Sequence, residues 1–183
     1  MQYAHGGDIY TYKNLLDFSI NVNPLGPADA VVEAAARSLQ RIGEYPDSRS
    51  RELRNALAEK KGLAAERFVI GNGAADLLFS LVLAEKPQKA MIVIPAFSEY
   101  EQALKTVGCE ILYHEVKKEN NFRLGTDLTE KITSELDFLF LCSPSNPAGQ
   151  AVEKEFLIKI AEKCEKERVR LVLDECFVQF LTS

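Results

Sequence analysis

The chain has 183 residues, 46% of them hydrophobic and 27% charged, with a formal net charge of −5. That balance suits one globular α/β domain, or one large domain with an incomplete second one. It argues against a nucleic-acid partner, because no Lys/Arg-rich run stands out, and against a membrane span, because apolar stretches such as "LLFSLVLA" (77–84) are too short.

The opening "MQYAHGGDIY" lacks the basic and apolar regions of a signal peptide, so a cytoplasmic location is expected. Cys109, Cys142, Cys164 and Cys176 are widely spaced, with no CxxC. They read as buried free thiols in a reducing compartment. His5 and His114 lie far apart, and no metal site is expected.

Residues 1–27 read as irregular, with "NVNPLGP" (21–27) an extended or turning arm. A helix is expected over about 28–40, with Val31, Val32, Ala35 and Leu39 on one side. "GEYPDSRS" (43–50) is a loop whose Ser50 is placed to cap a helix ending at Gly62, with Leu53 and Leu57 on one face. Alternation then sets in. "RFVIG" (67–71) reads as a short strand, and "AADLLFSLVLAEK" (74–86) as a helix apolar nearly all round and therefore buried. "KAMIVIP", "EILYHEV", "DFLFLC" and "VRLVLD" read as strands. Between them lie the helical stretches "SEYEQALKTVG", the weaker "LTEKITSEL" and the strongly amphipathic "VEKEFLIKIAEKCEKE". Apolar strands separated by helices indicate an α/β fold: a mainly parallel sheet with helices on both faces.

Ligands of open α/β sheets collect at the carboxyl ends of strands. After "RFVI" comes "GNGAAD" (71–76), whose small residues let the backbone approach a ligand. The unpaired N–H groups of the following helix suit a phosphate. After "DFLFLC" comes "SPSNPAG" (143–149), where two prolines fix the direction of Asn146. After "VRLVL" comes Asp174, a carboxylate that is expensive to bury unless paired with a cation. After "MIVI" comes "PAFSEY" (95–100), with Phe97 able to stack on a flat ring. Each has an ordinary alternative: a tight turn with Asp76 on the helix dipole, a self-bonded Asn, a helix cap or an ion pair with an Arg or Lys, plain packing. Together they suit a planar, phosphorylated, cationic heterocycle, of which pyridoxal 5′-phosphate is one.

With "HGGDIY", "LDFSINVNPLGP", "YPD", "GNGAAD", "PAFSEYE", "LFLCSPSNPAG" and "LVLDECFVQF" in this order, the chain resembles the fold-type I pyridoxal-phosphate enzymes of the class I/II aminotransferase group. Within that group it is most similar to the threonine-phosphate decarboxylases and the histidinol-phosphate aminotransferases. The resemblance implies pyridoxal 5′-phosphate as cofactor. Backbone N–H groups at Ala74, Ala75 and Asp76 would hold its phosphate. Phe97 would stack on its ring, Asn146 would bond its phenolic oxygen, and Asp174 would pair with its protonated nitrogen. It also implies a cis Asn146–Pro147 bond and a homodimer in which Tyr45 reaches the partner's cofactor phosphate. His5, Gly6 and Asn21 match an arm that binds the phosphate of a phosphorylated amino-acid substrate.

Two departures bear on function. Phe177 stands where many aminotransferases have Tyr, which, with the "HGG" arm, favours the decarboxylases of cobalamin assembly over the histidinol-phosphate aminotransferases. The family's Schiff-base lysine lies in an S-x-x-K motif, and no S-x-x-K occurs in this sequence. The resemblance therefore implies a truncated chain, inactive alone. Residues 1–44 would be the arm and first helix of an incomplete small lobe, and 45–183 a truncated cofactor-binding large domain. A non-catalytic remnant is the remaining alternative. A nucleotide-binding module is disfavoured, because GxGxxG and the GKS/T signature are absent.

Overall fold

The structure, a computed structural model, describes residues 6–13 and 15–181. The chain divides into two compact units, Met1–Phe68 and Val69–Ser183.

In the first unit, helix α1 spans Asp29–Ser38 and tightens into a 3₁₀ turn at Leu39–Arg41. Helix α2 spans Arg51–Lys61 and stops at Gly62, whose left-handed backbone (φ 64°) ends helices readily. Ser50 does not cap α2 through its side chain; it is itself left-handed, at φ 46°. The Asp47 carboxylate takes over, accepting from the N–H of Arg49 at 3.1 Å and of Arg51 at 2.9 Å. Upstream, a Cβ on Gly6 would lie 2.2 Å from the Ser19 carbonyl oxygen, so only glycine fits there. The Gly7 N–H donates to Ser19 Oγ at 2.8 Å.

The second unit holds one four-stranded sheet in the order β2-β1-β3-β4, every pair parallel. The strands are β1 (Lys89–Ile94), β2 (Glu110–Glu115), β3 (Phe138–Cys142) and β4 (Arg170–Asp174). Helices α3 (Gly73–Glu85), α4 (Ser98–Thr106), α5 (Leu128–Lys131) and α6 (Lys154–Glu167) cover it. Side-chain alternation divides the core in two. Ala90, Ile92, Phe138 and Phe140 pack with Leu78 and Val82 of α3 and with Tyr100, Ala103 and Leu104 of α4. Met91, Leu139 and Leu141 face the other way, onto Leu128 of α5 and Ile160 and Cys164 of α6. Helices thus cover both faces, as the sequence implies, and β3, central and buried along its whole length, explains the unbroken run "FLFLC".

Three local expectations fail. Residues 68–70 form no strand, since nothing extends the sheet to them. "LTEKITSEL" yields only the single turn Leu128–Lys131. Helix α3 buries Leu78 and Val82 but leaves Leu83 half exposed, so it lies on the sheet with one side open. Among the described residues no helix is long and apolar enough to cross a membrane.

Candidate functional site

Strand β4 delivers Asp174 to the carboxyl edge of the sheet, in register with Cys142 at the end of β3. Two donors fix its carboxylate. Tyr100 Oη donates to Oδ2 at 2.6 Å, and the Cys176 N–H donates to Oδ1 at 2.9 Å. Tyr100 is itself buried, stacked on Phe140 with ring centroids 5.3 Å apart. Burial and the Asp174 charge both push its hydroxyl well above the ordinary tyrosine range, so it remains a donor. The acid is half-buried and, among the described residues, held by neutral groups rather than by the Arg or Lys an ion pair would need.

Phe97 is joined to this group through Tyr100. Their rings meet edge to face, 5.9 Å apart at 82°, and the Phe97 side chain stays 37% exposed. The position just before α4 sets this: Phe97 has extended backbone (φ −63°, ψ 129°) and Ser98 begins the helix.

The loop after β3 is pinned to β4 and to itself. Ser143 N–H donates to the Asp174 carbonyl oxygen at 3.0 Å, and Val152 N–H to Ser143 Oγ at 3.0 Å. Ser145 and Gln150 close it through a 2.8 Å backbone bond. Asn146 stands exposed at the tip, and Asn146–Pro147 is cis, as expected. The Cys142 thiol donates to the Pro144 carbonyl oxygen at 3.1 Å, which holds the start of the loop against the end of β3.

Topology brings the start of α3 to the same edge. Lys86–Gln88 alone separate α3 from β1, so the two must run antiparallel as they pack. At about 1.5 Å per residue α3 rises roughly 20 Å, the length of β1. Its first turn therefore reaches the carboxyl edge. The turn itself is tight: Gly73 N–H donates to the Gly71 carbonyl at 3.0 Å across Asn72 (φ −79°, ψ 69°), an inverse γ-turn. Gly73 follows with φ +81°. Asp76 Oδ2 accepts from the Asn72 N–H at 2.8 Å, so this carboxylate shapes the turn. No side chain caps α3 from Asn72, and Ala74 is exposed.

Phe97 and Asp174 are thus joined through Tyr100, with Asn146 on the loop that follows Cys142 and the Ala74–Asp76 turn on the same edge. Tyr45, fully exposed, and Gly6 and Asn21 belong to the first unit, and His5 lies outside the described residues. Three neighbours escaped sequence reasoning. Tyr100 lies in the quoted "PAFSEY", three residues after Phe97, a spacing that foretells contact on a helix. Cys142 and Cys176 are far apart in sequence, yet their sulfurs and a carboxylate oxygen of Asp174 all lie within 4.8 Å of one another. Cys109, Cys142 and Cys164 are buried, whereas Cys176 is exposed, contrary to expectation.

The family model for aminotransferase class I and II matches residues 13–183. The chain belongs to this family. Among curated relatives, it is 38% identical over 97% of its length to threonine-phosphate decarboxylase of Salmonella typhimurium, of which it covers 51%. It is 33% identical over 92% of its length to histidinol-phosphate aminotransferase of Methanococcoides burtonii, of which it covers 46%. The fold superposes on the crystal structure of histidinol-phosphate aminotransferase from Clostridium acetobutylicum with a TM-score of 0.78, at 28% identity over 91% of this chain and 48% of that one. For aspartate aminotransferase from Thermus thermophilus with maleate the TM-score is 0.75, at 26% identity over 84% and 43%. The chain spans about half the length of the curated relatives it matches. The family is one of pyridoxal-phosphate-dependent enzymes.

Proposed function

We propose that the chain is the cofactor-binding part of a pyridoxal-phosphate lyase that decarboxylates an O-phosphorylated amino acid, O-phospho-L-threonine by similarity, for cobalamin assembly. The observation that carries this is the fixed carboxylate of Asp174 on the same sheet edge as Asn146, Phe97 and the open first turn of α3. Similarity to two threonine-phosphate decarboxylases, at 38% identity each, favours the lyase over its neighbours. Phe177 in place of Tyr supports the same choice.

The donor set suits the coenzyme. When bound, pyridoxal phosphate supplies an electron sink for charge developing at a substrate α-carbon. Asp174 would hold a proton on the ring nitrogen, because an anionic oxygen beside that nitrogen favours its charged form. Tyr100 and the Cys176 N–H keep the carboxylate aimed. Asn146 would donate to the phenolic oxygen, Phe97 would cover one ring face, and the N–H groups of Ala74, Ala75 and Asp76 would take the phosphate at the positive end of α3. Gly6, Asn21 and His5 would receive the substrate's phosphate. Tyr45, with its side chain fully exposed, would serve the second subunit of a homodimer.

Coenzyme binding to this chain, followed by absorbance and equilibrium dialysis, should weaken at least tenfold in Asp174→Ala. Borohydride should fix no coenzyme to lysine, given the missing S-x-x-K; a lysine adduct would refute that assignment. For the protein that carries this chain, carbon dioxide release from O-phospho-L-threonine is the expected activity. Glutamate formation would instead establish a histidinol-phosphate aminotransferase, the reading favoured by the fold match at a TM-score of 0.78.

A further inference from the structure

Within the first unit the arm folds back on itself at one point. A Cβ on Gly6 would meet the carbonyl oxygen of Ser19 at 2.2 Å and its Cβ at 2.8 Å, so the two stretches of chain touch there. Ser19 Oγ accepts from the Gly7 N–H at 2.8 Å and donates to Asp17 Oδ1. The Ser19 N–H donates to that same oxygen at 2.8 Å. We propose that Ser19, keyed by Asp17, is a positioning residue for recognition of a substrate's phosphate group: it clasps the Gly6–Gly7 backbone to the segment that carries Asn21. This role rests on the reading above, in which Gly6 and Asn21 receive that phosphate.

Gly6 and Asn21 are far apart in the sequence, and the clasp is what makes them neighbours. Asn21 follows Ser19 by two residues, which is at most about 7 Å of backbone. Gly6 lies directly against Ser19. An arm without such a contact would have to give up backbone freedom when the ligand binds, and affinity would fall accordingly. An arm already folded loses less, so the same contacts bind more tightly.

The residue types suit the task. A hydroxyl is the one small group that accepts and donates at once. Donating to a carboxylate makes the Ser19 oxygen a better acceptor for the Gly7 N–H, and hydrogen bonds to an ionised group are the stronger kind. The Ser19 hydroxyl, then its N–H, hold the Asp17 carboxyl below its ordinary value, so it stays an acceptor at neutral pH. Glycine at position 6 is required by the close approach itself.

The test is calorimetric binding of O-phospho-L-threonine and of inorganic phosphate to the protein that carries this chain, beside coenzyme binding read by absorbance. Ser19→Ala removes two hydrogen bonds, one of them to a charge, and should weaken both phosphate ligands about tenfold. Coenzyme affinity should not change. Gly6→Ala, which must push Ser19 away, should lose as much. Asp17→Asn keeps a neutral acceptor for the hydroxyl and should lose less than Asp17→Ala. Unaltered phosphate binding in Ser19→Ala, or no phosphate binding by the unsubstituted protein, overturns the role. So does an equal loss of coenzyme, which would mark a general effect on folding. Tighter binding in Asp17→Asn would also overturn it, by showing that the acid only repels the anion. Dependence of phosphate binding on Ser19 without carbon dioxide release would sink the decarboxylase reading and leave the clasp standing.

Discussion

Replacing Tyr100 by Phe removes one oxygen and little else. The ring keeps its stack on Phe140 at 5.3 Å and its edge contact with Phe97 at 5.9 Å. What disappears is the 2.6 Å bond from a buried hydroxyl to the Asp174 carboxylate. Hydrogen bonds to charged groups contribute about 1.5–3 kcal/mol. Asp174 is only half-buried and keeps the Cys176 N–H, so the low end applies, and we expect a loss of about 1.5 kcal/mol. With a urea slope of about 2 kcal/mol/M, the unfolding midpoint should fall by between about 0.5 and 1 M. Asp174→Asn should make the second change nearly silent, so the double-mutant cycle should return a coupling of about 1 kcal/mol or more. An unshifted midpoint in Tyr100→Phe, or additive losses in the cycle, would show that the pair does not hold the acid and would remove the geometric basis of the site.

Gly73→Ala forces a side chain onto a residue at φ +81°, and should cost about 1–2 kcal/mol while leaving helix content by circular dichroism intact. His114 is buried, and Lys131 Nζ donates to its Nδ1 at 3.1 Å. Burial, then the Lys131 charge, lowers its pKa from the ordinary 6.5. Its contribution to stability is thus present above pH 6.5 and lost as pH falls towards the lower folded value. Urea midpoints should decline from pH 7 to pH 5, and His114→Gln should flatten that decline. Cys109 and Cys164 are both raised to about 11 by burial, against 9.0 unperturbed. The sign is opposite: their stabilisation is whole below pH 9 and is lost between about 9 and 11, visible as alkaline unfolding that Cys164→Ala shifts to higher pH.

The sequence by itself determined the four strands of the parallel sheet and the helices on its two faces. Runs such as "FLFLC" and "KAMIVI" are apolar on both sides because helices cover both faces, and that burial leaves a local trace at every position. It also determined the residue types of the turns, because "GNGAAD" and "SPSNPAG" are short and chemically unusual. What it left open was whatever depends on partners distant in the chain. "RFVIG" has a strand's composition but no neighbour to pair with. Locally, too, Ser50 has a cap's chemistry, yet its own backbone is left-handed and Asp47, three residues earlier, takes the N–H of Arg51. Asp174 finds Tyr100, 74 residues away, rather than an arginine. Cys142 and Cys176 meet only because β3 and β4 lie side by side in register. Composition records what a residue can do; the pairing of strands decides which residue it does it with.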